Sequence, residues 1–571
     1  MIMPLVTKGV TQSVTREHRG TVVIKKREAL YVTDRTRNRL EGALPRLSDY
    51  MKRAAERDPG HPAFIYKDKE LSYGEFSKNA QQFARFLMKI GVQKGDRLGY
   101  IMNGRPEFYV FYMAAAMVGA IIVGMGTRFT PHEMKYVLNN SEADYVLTLY
   151  GLGDVPNYQE KLAVALAESP SVKQVWVVGG PAELPGALTW EQIMQEDYLE
   201  YEQALKEREA QVGPGDGLVI VYTSGTTGQP KGAVLTHGSV IAQSLVLVDE
   251  FGAPTGLTPN DRFLHHVPVN HVSGATELGA SPIVIGATQV VIDQFHPAIT
   301  LEQMEKHKVT IFAGVPTMFV MEFNLPNFKD YDLSAVRFCM VGGAMAPKEI
   351  LAKMKEVTPY VCNPMGMTET SGLITYTDIG ASVENLNKTV GKVAPEFEMK
   401  IVDQNRKEVP NGTPGEIAYR GPSIMKEYFR MPEATAAAFD DEGWFYSGDA
   451  GYIDENGDLC LVGRIKEMYI TGGENVYPAE VEEYISRYPG VAMVALLPVP
   501  HEVMGEVGRA YIVPKPGVTL DPDAIQEYLK EFLAPYKIPR QYVFRDSFPM
   551  TPLGKIEKKV LRQEMEKELA K

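Results

Sequence analysis

Cysteine is scarce. Cys339, Cys362 and Cys460 are widely separated and odd in number among 571 residues, so neither a disulfide framework nor a CxxC metal site is indicated, and a reducing, cytoplasmic setting is expected. Basic charge is also in deficit: 59 Lys and Arg stand against 72 Asp and Glu, a net charge of −13. That balance argues against a general nucleic-acid binder, because phosphate backbones are repelled except at a local basic patch. The opening residues, MIMPLVTKGVTQ, have neither the basic n-region nor the continuous apolar h-region of a secretory leader. Arg16 to Arg39 is rich in Arg and Lys but carries Glu17, Glu28 and Asp34, and reads as part of a solvated N-terminal arm over 1–44. No internal repeat or long low-complexity tract is visible.

A membrane span is imitated but not expected. Phe108 to Gly126 is uncharged over a length that could cross a bilayer. Gly119 interrupts it, and the following Ala120 to Val123 is rich in β-branched residues, so it reads as a helix turning into a buried strand.

What is present is apolar content of 44%, ample for cores, in a chain long enough for two or more domains. Helical spacing at Leu47 to Glu56 and Ala80 to Ile90 alternates with strand-like runs at Ala63 to Tyr66, Arg97 to Met102 and Tyr145 to Leu149. This rhythm predicts an α/β fold with mostly parallel sheets flanked by helices. Asp154 to Val212 reads as scaffold, and a strand pair is expected around Ile283 to Ile292. From Arg464 to Glu467 a short charged segment with few apolar anchors looks like a joint. Beyond it lies a small α+β unit of about one hundred residues, a usual domain scale. The terminal Lys and Glu run, including Lys558 and Lys559, reads as a solvated helix. The expected organisation is therefore an arm at 1–44, a large N-terminal domain at 45–465 and a small mobile C-terminal domain at 466–571.

The densest chemistry lies in Tyr222 to Val234, YTSGTTGQPKGAV, after the buried-strand pattern Gly217 to Val221. Glycines let the backbone turn its N–H groups inward, forming a nest suited to phosphate oxygens. Thr223, Ser224, Thr226 and Thr227 add hydroxyl donors and Lys231 adds a mobile positive charge. A Walker A loop would end in Gly-Lys-Ser/Thr so that a hydroxyl could hold Mg²⁺. Here the end is Pro230-Lys231-Gly232, which excludes it.

Two further glycine turns, VGGAMAP (Val341 to Pro347) and CNPMGMTET (Cys362 to Thr370), follow apolar runs, at the strand ends where α/β proteins place ligands. Thr368 could bond a phosphate and Glu369 could hold a hard cation, or the pair could be an N-capping Thr beside a surface Glu. Asp449, in WFYSGD, could receive two ribose hydroxyls. In TPLGKIEKK, Gly554 frees a turn from which Lys555 projects.

The succession YTSGTTGQPKG, PVNHVSG, VGGAMAP, MGMTE, YSGD, GRIKE, GGENVYP and PLGKIEKK resembles the adenylate-forming superfamily of acyl-CoA synthetases, nonribosomal adenylation domains and beetle luciferases, from Pro45 to the C-terminus. The resemblance implies ATP, Mg²⁺ and CoA as the small molecules used, with a carboxylic acid as partner. It implies that Thr223, Ser224, Gly225, Thr226, Thr227 and Lys231 hold the pyrophosphate, and that Thr368, Glu369 and Thr226 serve phosphate and metal. Gly343, Ala344, Met365 and Gly366 would border the adenine, while Asp449 and Arg464 take the ribose. Lys555 resembles the adenylation lysine and His271 the gate beside the acyl carboxylate. His271, Glu277, Val315, Gly342, Pro364 and Met367 would line the acyl pocket. Lys466 resembles the hinge, and Gly472 with Gly473 the pantetheine slot, where residues without side chains leave room.

The implied reaction has two halves: adenylation with pyrophosphate release, then thiol attack that yields a thioester and AMP. Cations and donors absorb charge in the first half, and closure by a mobile domain shields the mixed anhydride from water. The sequence departs from the family where Gly-Tyr-Gly is usual: here Pro364-Met365-Gly366 stand. Met365 would replace an aromatic face with a thioether, and Pro364 would narrow the acyl pocket. Glu277 either lines that pocket, disfavouring a plain hydrocarbon, or points to solvent. A small-to-medium apolar, alicyclic or aromatic acid is the expected substrate. A homodimer is compatible with these readings. Transfer to a separate carrier protein, a non-catalytic ligand-binding relative and a luciferase-like oxygenation stay open beside a CoA ligase, which is favoured because no carrier domain follows Lys571.

Overall fold

The computed structural model describes residues 39–223, 230–251, 256–344, 346–472, 474–550 and 556–569. Two sheets, each largely parallel, form its frame. In the eight-stranded one, Gly217–Thr223 lies between its hairpin partner Lys231–Thr236 and the parallel Ile121–Gly124, with Arg97–Ile101, Tyr145–Leu149 and Gln174–Val178 continuing outward. The seven-stranded sheet runs Val361–Cys362, Phe338–Val341, Ile311–Gly314, Arg262–His265, Thr288–Val291, Pro62–Tyr66, with antiparallel Lys69–Ser72 at its edge. Helices connect the parallel strands, as such crossovers require.

The uncharged stretch at Phe108 is core. Helix Pro106–Val118 buries every residue from Phe108 onward, as expected of a helix apolar on all faces. Gly119 then takes φ 73°, closing the helix before strand Ile121–Gly124. No helix among the described residues is long and apolar enough to cross a membrane.

One expected strand pair is corrected. Ala280–Ile285 is a helix ended by Gly286 at φ 75°, and only Thr288–Val291 is a strand. A short β-branched apolar run is shared by buried strands and buried helices, and the left-handed glycine settles which is present.

Two residues read as solvated are ion-paired instead, Arg39 buried and Lys558 half-buried. Arg39 donates to Glu396, at 2.6 Å from its Nε, and to Glu250 at 2.9 Å, with Asp249 at 3.3 Å. Its side chain is 4% exposed, so it ties the chain before the first helix to two distant segments. The rest of the arm, 1–38, lies outside the described residues. Lys558 is held between Glu467 at 3.0 Å and Glu482 at 2.8 Å, which couples the start of helix Lys558–Leu569 to the segment after Arg464. Neither partner is close in sequence, so local pattern could not reveal the pairing.

An antiparallel sheet of Glu398–Val402, Gly415–Arg420, Phe445–Ile453 and Leu459–Arg464 follows the parallel ones. From Tyr469 onward the chain builds a separate sheet around the long hairpin Val491–His501 and Gly505–Pro514. Successive residues serve its two faces, as the strand period of two dictates: Leu496 and Ile512 pack with Ile485 and Ile525, whereas Leu497 and Tyr511 pack with Leu561 and Met565.

Replacing Arg39 by Met leaves the buried Glu250 and Glu396 carboxylates without their shared cation, and breaking such a network costs about 3–5 kcal/mol. The urea midpoint of R39M is expected to fall accordingly; an unchanged midpoint would show that the cluster does not hold the fold.

Candidate active site

The loop of hydroxyls and glycines is anchored by strand pairing. Thr223 and Lys231 are register partners across the hairpin, and Tyr222 pairs Gly232. The Thr223 hydroxyl reaches the Lys231 carbonyl at 3.4 Å. Both ends of the loop are thus fixed; Ser224, Gly225, Thr226 and Thr227 lie outside the described residues.

Lys231 leads to a contact that the motifs do not mark. Its Nζ lies over the Tyr428 ring, 4.8 Å from the centroid, a cation–π distance. The Tyr428 hydroxyl donates to Glu369 Oε1 at 2.7 Å. Burial and the adjoining Glu369 carboxylate push the Tyr428 phenol far above its usual range, so it stays protonated and keeps donating. Tyr428 sits in the short strand Glu427–Tyr428, which pairs antiparallel beside Lys231–Thr236. Nothing in its local sequence signals this, because its role depends on that pairing.

Thr368 and Glu369 occupy a 3₁₀ turn, Thr368–Thr370, between the hairpin strands Met365–Met367 and Gly372–Tyr376. Thr368 is buried and Glu369 half-buried, so the N-capping Thr beside a surface Glu is not what forms. The hairpin is tight: a Cβ on Gly366 would stand 2.1 Å from the Gly372 carbonyl oxygen. Thr370 Oγ1 donates to Gly372 O at 2.6 Å and accepts from Met367 N at 3.0 Å. Met365 is buried, and its sulfur accepts from the Tyr419 hydroxyl at 3.3 Å. The thioether therefore has a partner of its own, in the strand Gly415–Arg420.

Asp449 and Arg464 are register partners on neighbouring strands, with Arg464 Nε 3.3 Å from Asp449 Oδ1. Burial, with a smaller contribution from the Asp449 carboxylate, pushes the Tyr419 phenol up. Its backbone N–H donates to Ser447 Oγ at 3.1 Å, and Gly448 takes φ 74°.

His271 stands on the turn that follows strand Arg262–His265. Its Nδ1 accepts from the Ser273 backbone N–H at 3.2 Å, beside the Ser273 hydroxyl at 2.9 Å, so the neutral ring carries its proton on Nε2. The turn rests on the eight-stranded sheet: Tyr100 donates to Val269 O at 2.8 Å, and a Cβ on Gly124 would meet Asn270 Cα at 2.9 Å. Val315, Gly342, Gly343, Ala344 and Pro364 follow strand ends of the seven-stranded sheet. Gly342 N donates to Gly314 O at 3.1 Å, and a Cβ on Gly342 would lie 3.6 Å from Pro364 O. Gly343 and Ala344 are exposed.

Glu277 is buried at 6% exposure, so the solvent-facing reading is excluded. It ends the π-helical turn Ser273–Glu277, and burial pushes its carboxyl up to about 7. Lys466 is exposed between Leu459–Arg464 and Tyr469–Thr471. Gly472 has φ 59°, and a Cβ there would meet Met504 Cε at 2.6 Å. Gly473 and Lys555 lie outside the described residues.

The fold defines a mixed α/β protein in which Lys231, Tyr428 and Glu369 meet beside the hairpin of Gly217–Thr223 and Lys231–Thr236. The AMP-binding enzyme family matches residues 51–429, and the AMP-binding enzyme C-terminal domain matches 480–555. This chain belongs to that adenylate-forming family. It is 32% identical over 515 residues to a methyl-dioxo-octahydroindenyl propanoyl:CoA ligase of Mycobacterium tuberculosis, covering 90% of this chain and 97% of that protein. It is 31% identical over 517 residues to the indoleacetate–CoA ligase of Aromatoleum aromaticum, covering 90% and 98%. The crystal structure of ATP-bound MatB from Rhodopseudomonas palustris superposes with TM-score 0.76 at 28% identity, covering 90% of this chain and 98% of that one.

Two outcomes follow from burial. Met365→Leu leaves the buried Tyr419 hydroxyl without an acceptor, a loss of about 1–2 kcal/mol, whereas adding Tyr419→Phe recovers most of it; additive losses in chemical denaturation would refute the coupling. Glu277 has its folded-state value raised, so its ionisation penalty is absent below the unfolded value, grows as pH rises toward 7 and is complete above it. Glu277→Gln should therefore stabilise the fold by on the order of 3 kcal/mol more at about pH 8 than at about pH 4, read from denaturation midpoints; an equal effect at both would show that the buried carboxyl does not titrate as described.

Proposed function

We propose that this chain is an AMP-forming acyl-CoA ligase that activates a small-to-medium, ring-bearing carboxylic acid in two half-reactions. The observation that carries the reading is the line from Lys231 through Tyr428 to Glu369. It sets a cation and a carboxylate a tyrosine apart at one mouth of the nucleotide loop, in a chain of the adenylate-forming family.

In the first half-reaction a substrate carboxylate oxygen bonds to the α-phosphorus of ATP, and the bond to the bridging oxygen breaks as pyrophosphate leaves. Two anions must approach, so catalysis rests on groups that already face the charge. Lys231 meets the β and γ phosphates with the Thr223 to Thr227 donors, while Lys555 serves the α-phosphate and the carboxylate. His271 presents its Nε2 proton beside the acyl carboxylate, and Thr368 bonds phosphate. Asp449, supported by Arg464, receives the ribose hydroxyls; Gly343, Ala344, Met365 and Gly366 border the base.

Among the described residues no cluster of three or more His, Cys, Asp or Glu is arranged as a metal cage. A lone carboxylate such as Glu369, oriented by Tyr428, suits Mg²⁺, which takes one or two carboxylates and fills its other positions with phosphate oxygens and water. When bound, Mg²⁺ would neutralise developing charge on the phosphates.

In the second half-reaction the thiol sulfur of CoA bonds to the acyl carbon and AMP departs. The unit over 466–571 turns about Lys466, exchanging the Lys555 loop for the Gly472-Gly473 turn, whose lack of side chains admits the pantetheine arm. Ring-bearing acids are favoured because the Mycobacterium and Aromatoleum relatives carry indenyl and indole acids in their names, and because Pro364 abuts Gly342 on one side of the pocket.

The test is pyrophosphate and AMP release from ATP and Mg²⁺ over aliphatic, alicyclic and aromatic acids, with and without CoA. Pyrophosphate without CoA and thioester only with it are expected. Thioester formed only on a holo-carrier protein would replace CoA as acceptor. Best activity on long fatty chains would overturn the substrate class, and silence throughout would overturn the ligase reading.

A further inference from the structure

Beside Glu277 lies a second buried polar side chain that the motifs never marked. Gln243, on helix His237–Glu250, is 0% exposed, and neither its Nε2 nor its Oε1 has a hydrogen-bond partner. Glu277 likewise makes no hydrogen bond or ion pair with the described residues. The two converge on one point. A Cβ placed on Gly372 would lie 3.0 Å from Gln243 Cδ, 3.0 Å from Gln243 Nε2 and 3.0 Å from Glu277 Cγ. Three elements that pack on one another therefore meet there: the helix, the π-helical turn and the strand Gly372–Tyr376.

A buried amide with both ends unpaired forfeits about 1–3 kcal/mol for each unsatisfied group, and native proteins retain few such groups without a role. Replacement by Leu or Met would relieve the penalty at once, so the pair stands where a hydrogen-bonding partner from outside the fold is needed. Its position says which partner. Glu277 lies six residues after His271, at the end of the π-helical turn Ser273–Glu277, and Gly372 begins the second strand of the hairpin that carries Thr368 and Glu369. The pair thus adjoins both the turn that carries His271 and the hairpin that carries Thr368 and Glu369. Burial keeps a large share of Glu277 protonated near neutrality, so both side chains can donate as well as accept.

We propose that Gln243 and Glu277 form a recognition point for an oxygen substituent, hydroxyl or oxo, borne on the acyl group remote from its carboxylate. This rests on the ligase reading and narrows it: the preferred acid is oxygenated at its far end rather than a plain hydrocarbon. A site built to bond such an oxygen rejects the analogue that lacks it, because the protein groups are then left unpaired in the complex.

The experiment uses matched pairs of acids: 3-cyclohexylpropanoate against its 4-hydroxy and 4-oxo forms, and 3-phenylpropanoate against 3-(4-hydroxyphenyl)propanoate. The full-length enzyme and the near-isosteric variants Gln243→Met and Glu277→Met are compared by pyrophosphate release. The native enzyme is expected to favour the oxygenated member in kcat/KM by about 10–100-fold. Each variant should lose that preference by gaining on the hydrocarbon and losing on the oxygenated acid, chiefly through KM. ATP-induced thermal stabilisation confirms that each variant is folded.

Equal rates on both members of every pair, or a preference that survives both substitutions, would overturn the proposal while leaving the ligase intact; the pair would then hold ordered water only. Absence of pyrophosphate with every acid would instead overturn the ligase reading, and this one with it.

Discussion

The contact on which the site depends is the stacking of Lys231 on Tyr428, whose hydroxyl in turn holds Glu369. It joins the eight-stranded sheet to the 3₁₀ turn of the small hairpin, two elements that share no strand pairing. A mobile lysine loses much rotamer freedom when it is fixed, and the aromatic face with the strand beside it supplies the compensating attraction. Because Tyr428 stays protonated, its hydroxyl orients Glu369 as a steady donor. The Lys231 ammonium and the Glu369 side chain are thereby kept on opposite ends of one tyrosine.

The surrounding frame serves that contact by fixing backbone. Pairing of Thr223 with Lys231 clamps the loop ends, and close approach of Gly366 to the Gly372 carbonyl leaves no room for a side chain in the hairpin. The His271 turn is seated through Tyr100 and through the bare Gly124. These are placements by hydrogen bond and by excluded volume, and they use strand ends of both sheets. Groups held in this way are preorganised, the condition from which most electrostatic catalysis originates.

Polar burial gives the molecule a second character. Buried Arg39 is matched by opposite charges, as is half-buried Lys558, whereas Gln243 and Glu277 are not matched by the described residues. Matched burial belongs to the fold, since losing a partner would strand a charge in low dielectric. Unmatched burial instead calls for a partner from outside the fold.

Much of this was legible in the residues. Alternation of strand and helix, Gly119 as a stop between helix and strand, and the succession of glycine turns that belongs to the adenylate-forming family are local features, set by backbone freedom and side-chain spacing. The sequence by itself determined the α/β class, the family and the position of its loops. Tertiary structure decided what the apolar run at Ile283 becomes, that Arg39 and Lys558 are paired rather than solvated, that Met365 serves Tyr419 from 54 positions away, and that Glu277 is enclosed. The reason is physical: desolvation and pairing depend on which atoms stand within a few ångströms, and those neighbours come from segments whose separation along the chain carries no information about their meeting.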